Sequence, residues 1–157
     1  MFDLFKKTKK IISPMSGRTI PIEEVNDEVF SQKMLGTGIA IIPNEGKLCA
    51  PFDAEVVQIF ETRHSYILRA DDGLEALIHI GINTVELAGE GFESYVKEHQ
   101  KVNAGEVLGT VNLDLLKKKG YCEQSPIIFV NGDTFKFDFK YLDVKAGKTL
   151  IVNYCRK

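Results

Sequence analysis

Cysteine is scarce in this chain. There are three, Cys49, Cys122 and Cys155, far apart, odd in number and without a CxxC pair. That spacing argues against a disulfide framework and against a thiolate metal site, and fits a reducing compartment. Long apolar runs are missing too: no stretch approaches the roughly 20 residues needed to span a bilayer. The opening MFDLFKKTKK lacks the apolar core of a secretory signal, so an unexported, cytoplasmic protein is expected. Neither charge dominates, with 20 Lys and Arg against 22 Asp and Glu and a net charge of -2, and nothing in that balance attracts nucleic acid. Histidine is also sparse: three residues, with no HxH or HExxH pattern for a zinc hydrolase.

What is present is an ordinary globular composition, 44% hydrophobic and 27% charged over 157 residues. A chain of that size forms one domain and can bury close to 70% of its unfolded surface, so it needs no covalent staple. From Ile11 onward, short apolar or alternating runs rich in Ile, Val, Phe and Tyr are broken by Ser13-Pro14, Pro43-Asn44, Asp71-Asp72-Gly73, Ala104-Gly105 and Asn131-Gly132-Asp133. This rhythm predicts an all-β protein. Helical spacing is confined to short pieces near 25–33, 91–98 and 113–118.

Two internal echoes predict a duplicated antiparallel architecture, sandwiched or closed into a barrel. Ser13-Pro14-Met15-Ser16-Gly17 resembles Ala50-Pro51-Phe52-Asp53-Ala54, and the segment 102–108 resembles 144–150 around Ala104-Gly105 and Ala146-Gly147. Residues 1–10 differ, because Phe2, Leu4 and Phe5 precede Lys6, Lys7, Lys9 and Lys10. They are expected to be a flexible tail or a short amphipathic segment that makes weak contact with anionic lipid. The domain proper is expected over 11–157.

The chemistry concentrates on two histidines. The run from Phe60 to Leu68 leads through Ala70-Asp71-Asp72-Gly73 into Leu74–Gly81, which reads as strand, turn, strand. A loop made of Asp71-Asp72 sets His64 directly opposite His79; a loop at Asp72-Gly73 sets it opposite Gly81. In the first register Phe60, Thr62, His64 and Tyr66 share a face with Leu77, His79 and Gly81, and opposed Cβ atoms lie about 4.5 to 5.5 Å apart. Two imidazoles so placed face one phosphoryl group or one metal ion. His99, among Lys97, Glu98 and Lys101, reads as a solvated loop residue.

Phe60-Glu61-Thr62-Arg63-His64, Ile78-His79-Ile80-Gly81-Ile82-Asn83-Thr84-Val85-Glu86-Leu87 and Gly89-Glu90-Gly91-Phe92 resemble the glucose-type IIA components of the bacterial phosphoenolpyruvate-dependent sugar phosphotransferase system. The likeness extends to Ile12–Gly17, Asp27–Phe30, Gly36–Ile41 and Val102–Glu106, almost the whole chain. It implies an antiparallel β-sandwich or barrel on a duplicated motif. It also implies a phosphocarrier that accepts a phosphoryl group from the histidine-containing phosphocarrier protein and passes it to a IIB domain of a sugar permease, with no cofactor required. On this resemblance His79 is the acceptor, His64 stabilises the phosphoryl oxygens, Thr62 orients the pair and the Gly81 carbonyl holds the His79 ring.

The same resemblance places Val29, Met34, Leu35, Phe60 and Leu77 on an apolar docking rim, with Asp27 as an acidic partner contact. Asn83 stands where many relatives carry aspartate, so one rim charge is lost and partner preference shifts. The alternative from another class is a two-histidine zinc module or zinc hydrolase, with His64 and His79 as ligands completed by a partner residue and Glu75 as a weak third candidate. A biotinyl- or lipoyl-type carrier is disfavoured, since neither Lys101 nor Lys148 has the flanking residues of such a hairpin tip.

Overall fold

A computed structural model describes residues 7–157. In chain order the strands are β1 (Lys9–Ile12), β2 (Gly17–Pro21), β3 (Thr37–Pro43), β4 (Lys47–Cys49), β5 (Ala54–Ile59), β6 (Ser65–Ala70) and β7 (Glu75–His79). There follow β8 (Phe92–Ser94), β9 (Lys101–Val102), β10 (Val107–Val111), β11 (Ser125–Phe129), β12 (Phe135–Phe139), β13 (Asp143–Val144) and β14 (Leu150–Arg156). Two short helices, α1 (Glu28–Ser31) and α2 (Leu113–Lys118), complete the regular elements with three single 3₁₀ turns. Among the described residues no helix is long and apolar enough to cross a membrane.

All strand pairs are antiparallel. An eight-stranded sheet runs β13-β2-β3-β11-β7-β6-β5-β9, and β1-β14-β12 and β4-β10-β8 form two three-stranded sheets. One face of the large sheet packs on both small ones: Ile39, Val56, Leu68, Ile78 and Ile127 meet Ile11 and Val152 from one and Leu48 and Leu108 from the other in one buried core. The sandwich expected from the sequence is therefore present. The other face carries a second cluster, in which Ile20, Ala40, Leu77 and Ile128 pack with Ile22, Val25 and Phe30. Because both faces of its central strands are buried, β11 and β7 read as continuous apolar runs rather than alternating ones.

The two echoes are one structural unit used twice. Ile12 N donates to the Pro51 carbonyl at 3.0 Å, and the equivalent Cys49 N donates to the Pro14 carbonyl at 2.8 Å. Gly105 N donates to Ala50 O at 2.8 Å just as Gly147 N donates to Ser13 O at 2.7 Å. The side chains follow suit: Asp53 Oδ1 accepts from Ala104 N and Ser16 Oγ accepts from Ala146 N. Strand pairing repeats as well, Val102 facing Ala54 and Val144 facing Gly17. A pseudo-two-fold relation thus runs between the loops.

Two expectations are corrected. The segment 91–98 is not helical: Phe92–Ser94 is strand β8, held by β10 with Thr110 opposite Glu93, and its apolar spacing comes from Phe92 and Val96 entering the main core. The boundary at residue 10 falls inside a strand, since Lys9 and Lys10 pair with Tyr154 and Asn153 and Lys9 Nζ lies 3.2 Å from Asp72 Oδ2. Residues 1–6, where the rest of the tail or lipid-contact expectation falls, lie outside the described residues. The helical piece at 113–118 is α2, started by Asn112, whose side chain accepts from Leu115 N.

Candidate functional site

The β6–β7 hairpin builds the site, in a register one step from each expected. Ser65, not His64, lies opposite His79, and Tyr66, Ile67 and Leu68 face Ile78, Leu77 and Ala76. The loop is three residues long, Ala70 N bonding to Leu74 O at 2.9 Å, because Gly73 takes φ +91° and lengthens the turn. Tyr66 therefore points into the main core instead of sharing the histidine face.

His64 reaches His79 from the end of its strand. Arg63 adopts φ 58°, a left-handed corner between Thr62 and His64, and Ile80 N donates to the His64 carbonyl at 2.8 Å. The two imidazole centroids come within 4.8 Å at an interplanar angle of 80°. Phe60 stands edge-on to His64 at 5.7 Å and Phe30 lies against His79 at 5.1 Å, so an aromatic ring closes each end of the pair. Phe30 escapes sequence reasoning because only the docking of α1 on the sheet brings it there.

Each histidine is held by its Nδ1. His79 Nδ1 lies 2.7 Å from the Gly81 carbonyl, an obligate acceptor, so Nδ1 carries the proton and Nε2 keeps its lone pair in the neutral ring. His64 Nδ1 lies 2.5 Å from Thr62 Oγ1. The carbonyl at Gly81 is itself fixed: Gly81 takes φ +75°, its N–H donates to Ser125 Oγ at 3.2 Å, and Thr84 Oγ1 donates to Ile80 O at 2.5 Å. A Cβ at Gly81 would stand 2.5 Å from Thr84 Cγ2, so the glycine is required by space as well as by φ.

Burial sets the charge state. It pushes the His64 imidazole down to about 4, and the neighbouring His79 adds to the shift. His79 is also held below the ordinary histidine range by burial, against opposing pulls from the Gly81 carbonyl and the charge of Asp27. Both rings are neutral near pH 7. The site is a pair of neutral imidazoles, His79 partly buried and His64 3% exposed, with both Nδ1 atoms engaged.

Of the rim residues, Val29, Met34 and Leu35 are exposed, Met34 at 70%. Phe60 is half-buried beside His64, while Leu77 is 8% exposed and belongs to the apolar layer beneath the pair instead of the rim, because its register position faces Ile67 in the second cluster. Asp27 caps α1, accepting from Val29 N at 2.9 Å. Asn83 is exposed at φ 61°, opening the 3₁₀ turn Thr84–Leu87 that presents exposed Val85, a further apolar residue next to the site loop that the sequence reading missed. The left-handed backbone is where asparagine is favoured, a conformational reason for its presence besides charge.

Among the described residues no three His, Cys, Asp or Glu side chains gather as a metal-ligand group. Glu75, the weak third candidate, is paired with Arg69 at 2.8 Å. His99 is exposed and lies 3.7 Å from Glu55 Oε2.

Fold and site together define a duplicated antiparallel β-sandwich with a paired-histidine centre. Residues 9–135 match the family described as phosphoenolpyruvate-dependent sugar phosphotransferase system, EIIA 1, and the chain belongs to that family. It is 43% identical over 135 residues, 85% of this chain and 82% of the relative, to the PTS system glucose-specific EIIA component of Bacillus cereus. Over 134 residues, 85% of this chain, it is 46% identical to the PTS system glucosamine-specific EIICBA component of Bacillus subtilis, of which it spans 21%. Over 121 residues, 77% of this chain, it is 48% identical to the PTS system glucose-specific EIICBA component of Staphylococcus saprophyticus, spanning 18% of it. The chain thus spans about a fifth of these two longer relatives. The solved structure of glucose permease IIA from Mycoplasma capricolum matches at a TM-score of 0.87 and 40% identity, covering 97% of this chain and 99% of that one.

Proposed function

We propose that the chain is the phosphocarrier of a sugar uptake relay, with His79 Nε2 as the phosphoryl acceptor. The observation that carries this reading is the fixed tautomer: with Nδ1 donating to the Gly81 carbonyl, Nε2 is the one nucleophilic nitrogen of His79. No general base is needed, since a neutral imidazole already offers the lone pair. In the first step the Nε2–P bond forms as the P–N bond of a donor phosphohistidine breaks, the donor being the histidine-containing phosphocarrier protein. In the second the group passes to a cysteine thiolate on a IIB domain, a partner supported by the EIICBA relatives.

Phosphoryl transfer passes through a loose state in which positioning and charge stabilisation supply most of the catalysis. His64 provides both as a neutral donor: the Thr62 hydroxyl donates a hydrogen bond to Nδ1, leaving Nε2–H for a phosphoryl oxygen. Val29, Met34, Leu35, Val85 and the edge of Phe60 form the apolar rim that excludes water once a partner docks, with Asp27 and Asn83 as its polar contacts. The reaction requires no cofactor and is placed in the cytoplasm, where its partners act. No observation favours zinc at His64 and His79, and among the described residues no third side chain joins them as a ligand for the hydrolase alternative.

The test is a phosphotransfer assay with phosphoenolpyruvate, the general phosphotransferase enzyme and the histidine phosphocarrier, read by intact mass. Wild type and His64→Gln take up one acid-labile phosphoryl group and His79→Gln takes none; only wild type hands it on to a IIB domain. An unlabelled wild type sinks the carrier reading.

A further inference from the structure

The carbonyl that holds the His79 ring belongs to a glycine, the residue whose own side chain constrains the backbone least. Space and a φ of +75° demand glycine at 81, yet the same freedom lets its carbonyl swing away from the ring. What aims that carbonyl must therefore come from neighbouring groups.

Two peptide units meet at Gly81, and each is held at both ends. In the first, between Ile80 and Gly81, the oxygen accepts from Thr84 Oγ1 at 2.5 Å and the N–H donates to Ser125 Oγ at 3.2 Å. In the second, between Gly81 and Ile82, the oxygen accepts from His79 Nδ1 at 2.7 Å and the N–H donates to the Cys122 carbonyl at 3.0 Å. Ser125 Oγ donates in turn to the Glu123 carbonyl at 2.9 Å, which fixes its hydroxyl rotor and leaves a lone pair for Gly81 N–H. Thr84 and Ser125 are 0% and 1% exposed, so water does not compete for these bonds. They come from different elements: Thr84 opens the 3₁₀ turn Thr84–Leu87 and Ser125 begins β11.

We propose that Thr84 and Ser125 are positioning residues for His79: their hydroxyls clamp the Ile80–Gly81 peptide, so that the following carbonyl stays aimed at Nδ1 and keeps the ring proton there. The effect on transfer rate rests on the carrier reading above; the effect on the tautomer does not. As Nε2 gives its lone pair to phosphorus, the pair of the breaking P–N bond returns to the donor ring, and the His79 ring turns positive with Nδ1 still protonated. A carbonyl aimed at that N–H interacts more strongly with the charged ring than with the neutral one. Such an interaction raises the rate and leaves partner binding alone.

The experiment removes each hydroxyl with little change of shape. Thr84→Val and Ser125→Ala are compared with wild type by nitrogen-15 NMR of the histidines in the unphosphorylated chain, and by the rate of phosphoryl uptake at saturating phosphocarrier. Wild-type His79 shows a protonated Nδ1 and a bare Nε2; in each variant part of the population moves the proton to Nε2. Uptake falls about tenfold, the worth of one net hydrogen bond, with the KM for the phosphocarrier unchanged. Thr84→Ser keeps the hydroxyl and loses only the methyl group facing Gly81, so its tautomer and rate stay at the wild-type values. A variant that loses stability while the His79 tautomer and the rate stay unchanged has a structural residue at that position, which overturns the proposal for it. A Thr84→Ser slowed as much as Thr84→Val, or a slowed variant whose proton stays on Nδ1, overturns it too. A wild type that takes up no phosphoryl group, in a set where the tautomer shifts as described, overturns the carrier reading alone.

Discussion

A neutral imidazole becomes a directed nucleophile when one nitrogen is held and the other left bare, and at His79 that task falls to the Gly81 carbonyl. Gly81→Ala must strain a left-handed φ and push a methyl group into Thr84 Cγ2, for about 1 to 2 kcal/mol or more. With about 2 to 4 °C lost per kcal/mol in a chain of this size, calorimetry should show Tm several degrees lower. Label uptake should fall further than stability does, since the displaced carbonyl frees the ring. His64 predicts a pH dependence. Its folded pKa of about 4 lies below the unfolded value of about 6.5, so the unfolded state binds the proton first. Its contribution is whole above pH 6.5 and is lost as pH falls through about 4, a loss of about 3 kcal/mol. Wild-type Tm should drop more steeply between pH 7 and 4 than that of His64→Gln; parallel curves would contradict the assignment. Two histidines out of three flanking one predicted turn made this pair legible in the sequence. Their register was not, because Asp71-Asp72-Gly73 accommodates a loop of two or of three residues, and only the φ of Gly73 decides.

Helix α1 is a single turn and cannot persist on its own; it is held by the Asp27 cap and by Phe30 packed under the second cluster. Asp27 thereby does two things, and two substitutions separate them. Asp27→Asn keeps an N-cap acceptor while removing the charge that raises the His79 pKa, so the NMR titration of His79 should move lower with little change in stability. Asp27→Ala loses the cap as well, at about 1 kcal/mol. An unchanged His79 titration in Asp27→Asn would show that the cap is its whole role. Composition and spacing located this short helical piece and α2, whose Asn112 cap and trailing lysines are local signals. They misplaced 91–98, where period and length are both too short to tell a helical turn from strand β8.

On the scale of the whole molecule the duplication holds the sandwich together far from the histidines. Gly105 and Gly147 meet back to back across the pseudo-two-fold, and a Cβ on Gly147 would stand 3.2 Å from Gly105 Cα, at a φ of +70°. Gly147→Ala should therefore lower Tm by several degrees and leave the rate of label uptake unchanged, since that loop is bonded to Ser13 and Ser16 and packs on Gly105 and Cys49, none of them a site residue. A matching loss of uptake would mean that the two regions are coupled. The paired turns at Ser13-Pro14 and Ala50-Pro51, and the repeated Ala-Gly turns, were readable because turn chemistry is local. The pairing of the two copies is a long-range consequence of how eight strands stack side by side.

The proposed relay depends on a phosphoryl group carried on one nitrogen of one residue. Phosphorus NMR of the labelled chain, with nitrogen-15 in its histidines, reads that directly. A single phosphohistidine signal coupled to Nε2 of His79 is expected; a signal from Nδ1, or one that survives in His79→Gln, would overturn the assignment of His79 Nε2 as acceptor.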